Sequence, residues 1–428
     1  MQKPPDKSSD QSANKSADKS GPPSRYGWDA YAVIDWVFRA GRLIDDENEF
    51  IDQLARQMVD AGAPVDRFSS ILLTLHPQVI ASANTWERSQ NKTTQQLPNH
   101  GVRNSERYIG SPLKQLFDTG KRVRQRLDRL PADAHLAFAE LVPDGYIDYL
   151  AMPVYFGEVL GCGLIVVTKK ATGFSKADIE GFRLLRTYLA PVLEVYALRY
   201  QMHSLLDTYV GRRTGEKILS GMVKRGDADS IFSALWFSDL REFTHLSEIL
   251  STDKMLTLLN QYFEIVSASV TAQGGEILRF IGDAMLIVFP IDEKVTRKQA
   301  CQAAINAALD AQSTLATLNH QRRRHGEPEI HFGVGLNIGE VIYGNVGALD
   351  RLDFTVMGRA VNRTARFESL TKTLDRNILF SREFAELIDA PTCFMGEHQL
   401  KGIANPQAVY ALQPQAVNDI PEESGANH

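Results

Sequence analysis

Arg351 to Glu368 reads RLDFTVMGRAVNRTARFE. The stretch reads as a strand ending at Val356-Met357 that passes through Gly358 into a helix starting near Val361. In that helix Asn362 and Arg366 are four residues apart, so they share one face and can reach one ligand together. Arg351, just before the strand, and Lys401, in HQLKGIANP (398–406), add two further cations near the end of the chain.

Working outward, regular elements alternate from about Ile231. A strand runs through Ala234 to Phe237, and a helix is capped near Ser251 or Thr252. Met255, Leu258, Leu259, Tyr262, Phe263, Val266 and Val270 form the apolar face of that helix. Strands Glu276 to Phe280 and Met285 to Phe289 form a hairpin around Ile281-Gly282-Asp283-Ala284. A second helix is expected from about Arg297 to His320, then strands His331 to Ile338, Val341 to Val346 and Leu352 to Met357. The order β-α-β-β-α-β is that of a ferredoxin-like α+β sheet with its helices on one face.

Two carboxylates stand at the ends of these elements. Asp239 ends the first strand in FSDLREFT (237–244), and Asp283 sits at the hairpin tip in RFIGDAML (279–286), where Gly282 supplies the freedom of a tight turn. An aspartate after glycine is ordinarily just a turn residue. Adjacent strands, however, lie only about 5 Å apart. If the first strand pairs beside the hairpin, both carboxylates meet at the spacing that two hard, oxygen-seeking cations such as Mg²⁺ require. Fixed positive charges at Arg351, Arg366 and Lys401 beside such a site suit a polyphosphate whose charge shifts during reaction.

FSDLREFT, GGEILRFIGDAML (274–286), GNVG (344–347), DFTVMGRAVNRTAR (353–366) and LKGI (400–403) together look like the class III adenylate and guanylate cyclases, over about Ile231 to Leu412. The resemblance implies that Asp239 and Asp283, with the backbone carbonyl of Leu240, hold two divalent ions, Mg²⁺ or Mn²⁺. It further implies that Asn362 orients the ribose, that Arg366 and Lys401 stabilise charge on the phosphates, and that Arg351 assists the departing diphosphate. The family builds its site between two catalytic domains arranged head to tail. One such domain per chain therefore implies a homodimer with two shared sites, converting ATP to 3′,5′-cyclic AMP and diphosphate. Base choice is read in the family at two positions, which fall on Arg279 and Thr355. Threonine at the second is a variant found among bacterial adenylate cyclases. Arginine at the first departs from the usual lysine, and a planar guanidinium is not equivalent to an ammonium. An acidic side chain that would accept from guanine is absent, so ATP is the expected substrate. The alternatives are a guanylate or relaxed-specificity cyclase, or a catalytically weak nucleotide-binding regulator.

The N-terminal half mixes helices and strands. A helix carries Phe50, Leu54 and Met58, and a strand follows from Phe68 to Leu75. YLAMPVYFGEVLGCGLIVV (149–167) reads as a hairpin, and GFSKADIEGFRLL (173–185) opens a long helix with Ser175 as its N-cap. Hairpin and helix resemble the end of a GAF sensory domain, placed at 28–194, which implies a small-molecule ligand and a regulatory role. Val195, Leu198, Met202, Leu205 and Tyr209 follow the 3-4 spacing of a parallel coiled coil, in a helical linker expected over 195–225 that joins the catalytic domain at 226–415.

The chain's 428 residues favour two domains, and its net charge of −5 gives no basic surplus for gripping nucleic acid. Three scattered cysteines, Cys162, Cys301 and Cys393, read as reduced thiols without a zinc or disulfide frame. No apolar run approaches the roughly 20 residues of a membrane helix, so a cytoplasmic protein is expected. Residues 1–24 and 416–428 read as disordered tails. Gly211 to Lys217 falls one residue short of a phosphate-binding loop, Gly333-Val-Gly335 reads as close packing inside a strand, and Arg322 to His325 reads as a solvated helix end.

Overall fold

Residues 25–348 and 350–413 are described in the computed structural model. The tails expected at 1–24 and 416–428 lie outside the described residues. The chain divides into two compact units between Ser204 and Leu205.

In the first unit, helices α1 (Ala30–Arg39) and α2 (Glu47–Asp60) precede strands β1 (Arg67–Leu73), β2 (Ala81–Glu87) and β3 (Lys92–Gln96). Helix α3 (Pro112–Thr119), β4 (Val123–Arg126), the short α4 (Leu136–Ala139), β5 (Asp148–Phe156), β6 (Val159–Thr168) and the long α5 (Lys176–Val210) follow. The six strands form one sheet in the order β3-β2-β1-β6-β5-β4. Phe50, Leu54 and Met58 of α2 and Ile179, Phe182, Leu185 and Leu189 of α5 pack in one core with Phe68, Leu72, Leu164 and Val166 of the sheet. Leu116, Tyr149, Ala151 and Val167 fill a second core on the opposite face. Ser175 caps α5 as expected: its hydroxyl accepts from the Asp178 amide at 3.1 Å, and the Asp178 carboxylate accepts from the Ser175 amide at 2.8 Å. Val195 to Tyr209 are helical and continue α5 to Val210, where Gly211, at φ 87°, breaks the helix. Val195, Leu198, Met202 and Tyr209 stay exposed along it.

The second unit runs through α6 (Arg212–Leu219), β7 (Ala228–Leu240), α7 (Phe243–Ile249), α8 (Thr252–Ala272), β8 (Glu276–Ile281), β9 (Ala284–Ile291) and α9 (Arg297–Arg324). It continues with β10 (Phe332–Gly347), β11 (Leu352–Met357), α10 (Arg359–Thr373), β12 (Ile378–Ser381), α11 (Arg382–Ala385), β13 (Thr392–His398) and β14 (Gln407–Leu412). The order β10-β7-β9-β8, which runs to one edge of an eight-stranded sheet with all three pairings antiparallel, is the ferredoxin-like arrangement expected. Beyond it, β12, β14 and β13 extend the sheet past β10, and β11 pairs with the other end of β10.

Three details depart from the expected layout. The strands expected at 331–338 and 341–346 are one strand, because Gly339 and Glu340 keep their pairing with Ser233 and Phe232 of β7. The helices also cover both faces of the sheet. Apolar residues of α8 and α9 pack with Trp236, Ile287 and Leu336, whereas α10 lies on the other side, where Ala360 packs with Leu235, Leu286 and Val341. Gly335 makes that second contact close: a Cβ there would run into the Thr364 carbonyl and the Glu368 amide of α10. Finally, Arg322 is no solvated helix end. It is 6% exposed and donates to the Pro328 carbonyl at 2.7 Å and to Gln261 at 2.6 Å.

Cys162 and Cys301 are buried and Cys393 is partly buried, all as free thiols. No helix among the described residues is long and apolar enough to cross a membrane.

Candidate active site

Strand β7 alternates its side chains between the two faces of the sheet. Asp239 therefore shares the side of Leu235, which is the face α10 covers. Ser238 pairs with Met285 of β9. One step further along each strand, Asp239 comes level with Ala284, next to the two-residue loop Gly282-Asp283 that closes β8 on β9. Gly282 takes φ 65°, as the first position of such a loop demands.

The two carboxyl groups accordingly meet. Burial, and then a hydrogen bond that protonated Asp283 donates to Asp239 and the charge of Asp239, push the Asp283 carboxyl up to about 6. Leu240 follows Asp239 and pairs with Phe332, its side chain buried in the core. Two adjoining carboxylates in a partly dry pocket concentrate negative charge and offer only oxygen donors, the chemistry that suits hard divalent cations. Among the described residues no group of three or more His, Cys, Asp or Glu side chains is placed to hold a metal ion. A metal ion held by the pair would draw its remaining ligands from oxygens of another kind, such as a main-chain carbonyl or a phosphate.

Helix α10 adds groups that sequence reasoning missed. The Lys372 ammonium stands 3.5 Å from the Asp239 carboxylate. Glu368, 3% exposed, is pushed up to about 7 by burial and then by the charge of Asp239. Arg241 lies close by, its basicity lowered by desolvation and supported by Glu368. The signal for these positions was present in the four-residue steps Thr364, Glu368 and Lys372, which line one helical face. It pointed to charge on the sheet side of a helix that had been read only for its outer face.

The outer face carries Asn362 and Arg366, both exposed. Arg351, before β11, and Lys401, in the turn after β13, are exposed as well. None of these four has a side-chain hydrogen bond or ion pair among the described residues. Within one chain, then, the aspartates are brought together, and none of these four side chains bonds or pairs with them.

Arg279 and Thr355 lie where β8 approaches β11. Leu278 bulges out of the β8–β9 ladder, so that Arg279 pairs with Leu286. The Arg279 guanidinium forms an ion pair with Asp353, a partner the sequence did not announce. Thr355 is two residues beyond Asp353 on β11 and therefore on the same side of that strand.

Residues 227–413 match the sequence model of a family described as the adenylate and guanylate cyclase catalytic domain. An adenylate cyclase of Anabaena cylindrica is 32% identical over 176 residues, which are 40% of this chain and 34% of that protein. The terminal-differentiation-specific adenylate cyclase of Dictyostelium discoideum is 36% identical over 171 residues, 40% of this chain and 8% of that one. The chain thus spans about a third or less of the length of these curated relatives. Among solved structures, the adenylyl cyclase CyaB from P. aeruginosa is 30% identical, with 44% of this chain and 97% of that chain covered and a TM-score of 0.41. With its ordered motifs, its pair of converging aspartates and the sequence matches, the second unit, over residues 227–413, belongs to the adenylate and guanylate cyclase catalytic-domain family.

Proposed function

We propose that the chain is an adenylate cyclase that forms 3′,5′-cyclic AMP and diphosphate from ATP at sites shared by two copies of the chain. One observation carries this reading: Asp239 and Asp283 converge, while the exposed Asn362 and Arg366 on the outer face of α10 are left for a ligand held elsewhere. The names of the Anabaena and Dictyostelium relatives favour ATP over GTP.

In the reaction the ribose 3′-hydroxyl gives up its proton to solvent, its oxygen bonds to the α-phosphorus, the bond from that phosphorus to the bridging oxygen breaks, and diphosphate leaves. Asp239, Asp283 and the Leu240 carbonyl would hold two divalent ions, Mg²⁺ or Mn²⁺, which lower the pKa of the 3′-hydroxyl and offset the triphosphate charge. From the partner copy, Asn362 orients the ribose, and Arg366 and Lys401 meet the charge that grows on the phosphate oxygens. Arg351 faces the departing diphosphate. Arg279 and Thr355 read the purine. The ion pair with Asp353 leaves Arg279 fewer free N–H groups and favours, as a second reading, a relaxed choice of base.

The first unit acts as a GAF-like regulatory module with a small-molecule ligand. Support comes from its antiparallel sheet capped by the Ser175-initiated α5. The exposed Val195, Leu198, Met202 and Tyr209 support a helical seam between two copies.

The test mixes Asp283→Ala chains with Arg366→Ala chains, each inactive alone. Mixed dimers should regain up to one working site in two and make cyclic AMP from ATP. Mixed dimers that form yet stay inactive would overturn the shared site, and cyclic GMP as the main product of the unmodified chain would overturn the base assignment.

A further inference from the structure

Lys372 has no part in the reaction drawn above, yet its ammonium is the cation paired with Asp239 at 3.5 Å. The lysine is about half exposed and the aspartate a quarter exposed, so the ammonium reaches in from solvent on a flexible stem. Arg241, the other cation beside this site, is held differently. Its guanidinium donates to the Arg376 carbonyl at 3.3 Å and is partly buried next to Glu368. Lys372 is therefore the cation able to leave.

We propose that Lys372 is the protein's own cation at the Asp239–Asp283 pair: its ammonium balances Asp239 before a divalent ion arrives and swings to solvent when one binds. It thereby sets the concentration of divalent ion at which the pair fills. The inference rests on the reading of the two aspartates as metal ligands. A lysine in the last turn of a helix also suits the negative end of the helix dipole. That role alone would change thermal stability but not metal affinity.

The experiment titrates Mn²⁺ into the full chain without nucleotide and follows free Mn²⁺ by its electron paramagnetic resonance signal. Four proteins run in parallel with the unmodified chain: Asp239→Asn, Lys372→Gln, Lys372→Met and Lys372→Arg, each checked for folding by circular dichroism. Asp239→Asn should lose the site. The two neutral Lys372 variants should bind Mn²⁺ about two- to fivefold more tightly, the range expected when a half-exposed ion pair no longer competes with the metal ion. Lys372→Arg should stay within about twofold of the unmodified chain, because it keeps the charge. Equal or weaker binding by a folded neutral variant would overturn the role of Lys372 while leaving the metal site standing. Undiminished binding by Asp239→Asn would overturn the metal site and the role of Lys372 with it.

Discussion

Replacing Asp283 with asparagine should stabilise the metal-free protein at neutral pH, although it removes a residue assigned to chemistry. Burial and the neighbouring Asp239 raise the Asp283 carboxyl from 3.8 to about 6. A raised carboxyl means that the folded state prefers the proton. Its contribution to stability is fully present below the unfolded value near 3.8 and is lost as pH rises through about 6. A shift of about two units corresponds to roughly 3 kcal/mol for a dry group. Water screens this partly exposed carboxyl, which reduces the figure to about 1–1.5 kcal/mol. For a unit of this size that is about 2–5 °C in the midpoint of thermal unfolding. Asparagine keeps the shape and cannot ionise, so Asp283→Asn should melt higher by that amount at pH 7.5 in EDTA. Below about pH 4, where the wild-type carboxyl is itself protonated, the two should coincide. Adding Mn²⁺ at pH 7.5 should reverse the order, because binding to the native state stabilises only the protein that keeps both carboxylates. Differential scanning calorimetry of both proteins, with and without metal, supplies the comparison. An asparagine variant no more stable than wild type at pH 7.5 in EDTA, or a gain that persists unchanged at pH 4, would refute the idea that the two carboxyl groups crowd one another.

Gly335→Ala should cost about 2–4 kcal/mol in denaturant unfolding, because the new methyl meets the backbone of α10, which cannot yield as a side chain would. A loss under about 0.5 kcal/mol would mean that α10 is not seated on β10 as described. Arg279→Lys should raise kcat/KM for ATP by about three- to tenfold, since an ammonium replaces a fork already engaged by Asp353. Unchanged activity with ATP together with an unchanged preference between ATP and GTP would count against the purine-reading role of Arg279.

Much of this architecture was legible because periodicity and chemistry agreed. The alternation through β7, the two-residue Gly282-Asp283 loop and the apolar faces of α8 and α9 each determine a local shape whose sum is the four-strand centre of the sheet. What escaped was decided by pairing across the sheet. Gly339-Glu340 looks like a turn in isolation, but its backbone groups are satisfied by Ser233 and Phe232, so β10 runs on. Strands β12, β13 and β14 are short segments whose place comes from the edge of a sheet already built. Arg322 sits in a run of cations that would be solvated on any free helix end. The return of the chain through Pro328, together with Gln261 on α8, gives it acceptors and a buried place. Lys372 and Asp353 escaped for a similar reason: each gains its meaning from a partner on another element, Asp239 in one case and Arg279 in the other.

The two faces of α10 also bear on the proposed sharing of the site between two copies. At about 100° per residue, Arg366 and Glu368 point some 200° apart around the helix. Asn362, four residues before Arg366, keeps to the outer side, and Thr364, buried four residues before Glu368, keeps to the sheet side. Turning the helix to carry Arg366 toward its own Asp239 would drive Thr364 and Glu368 away from Gly335, whose missing side chain exists for that contact. The packing that holds the aspartates in place thus commits Asn362 and Arg366 to solvent. On the proposed reading, a triphosphate gripped by both sets would bring a second chain with it. Complementation between Asp283→Ala and Arg366→Ala chains is therefore the natural consequence of how α10 is seated, and its failure would count against that seating as well as against the chemistry.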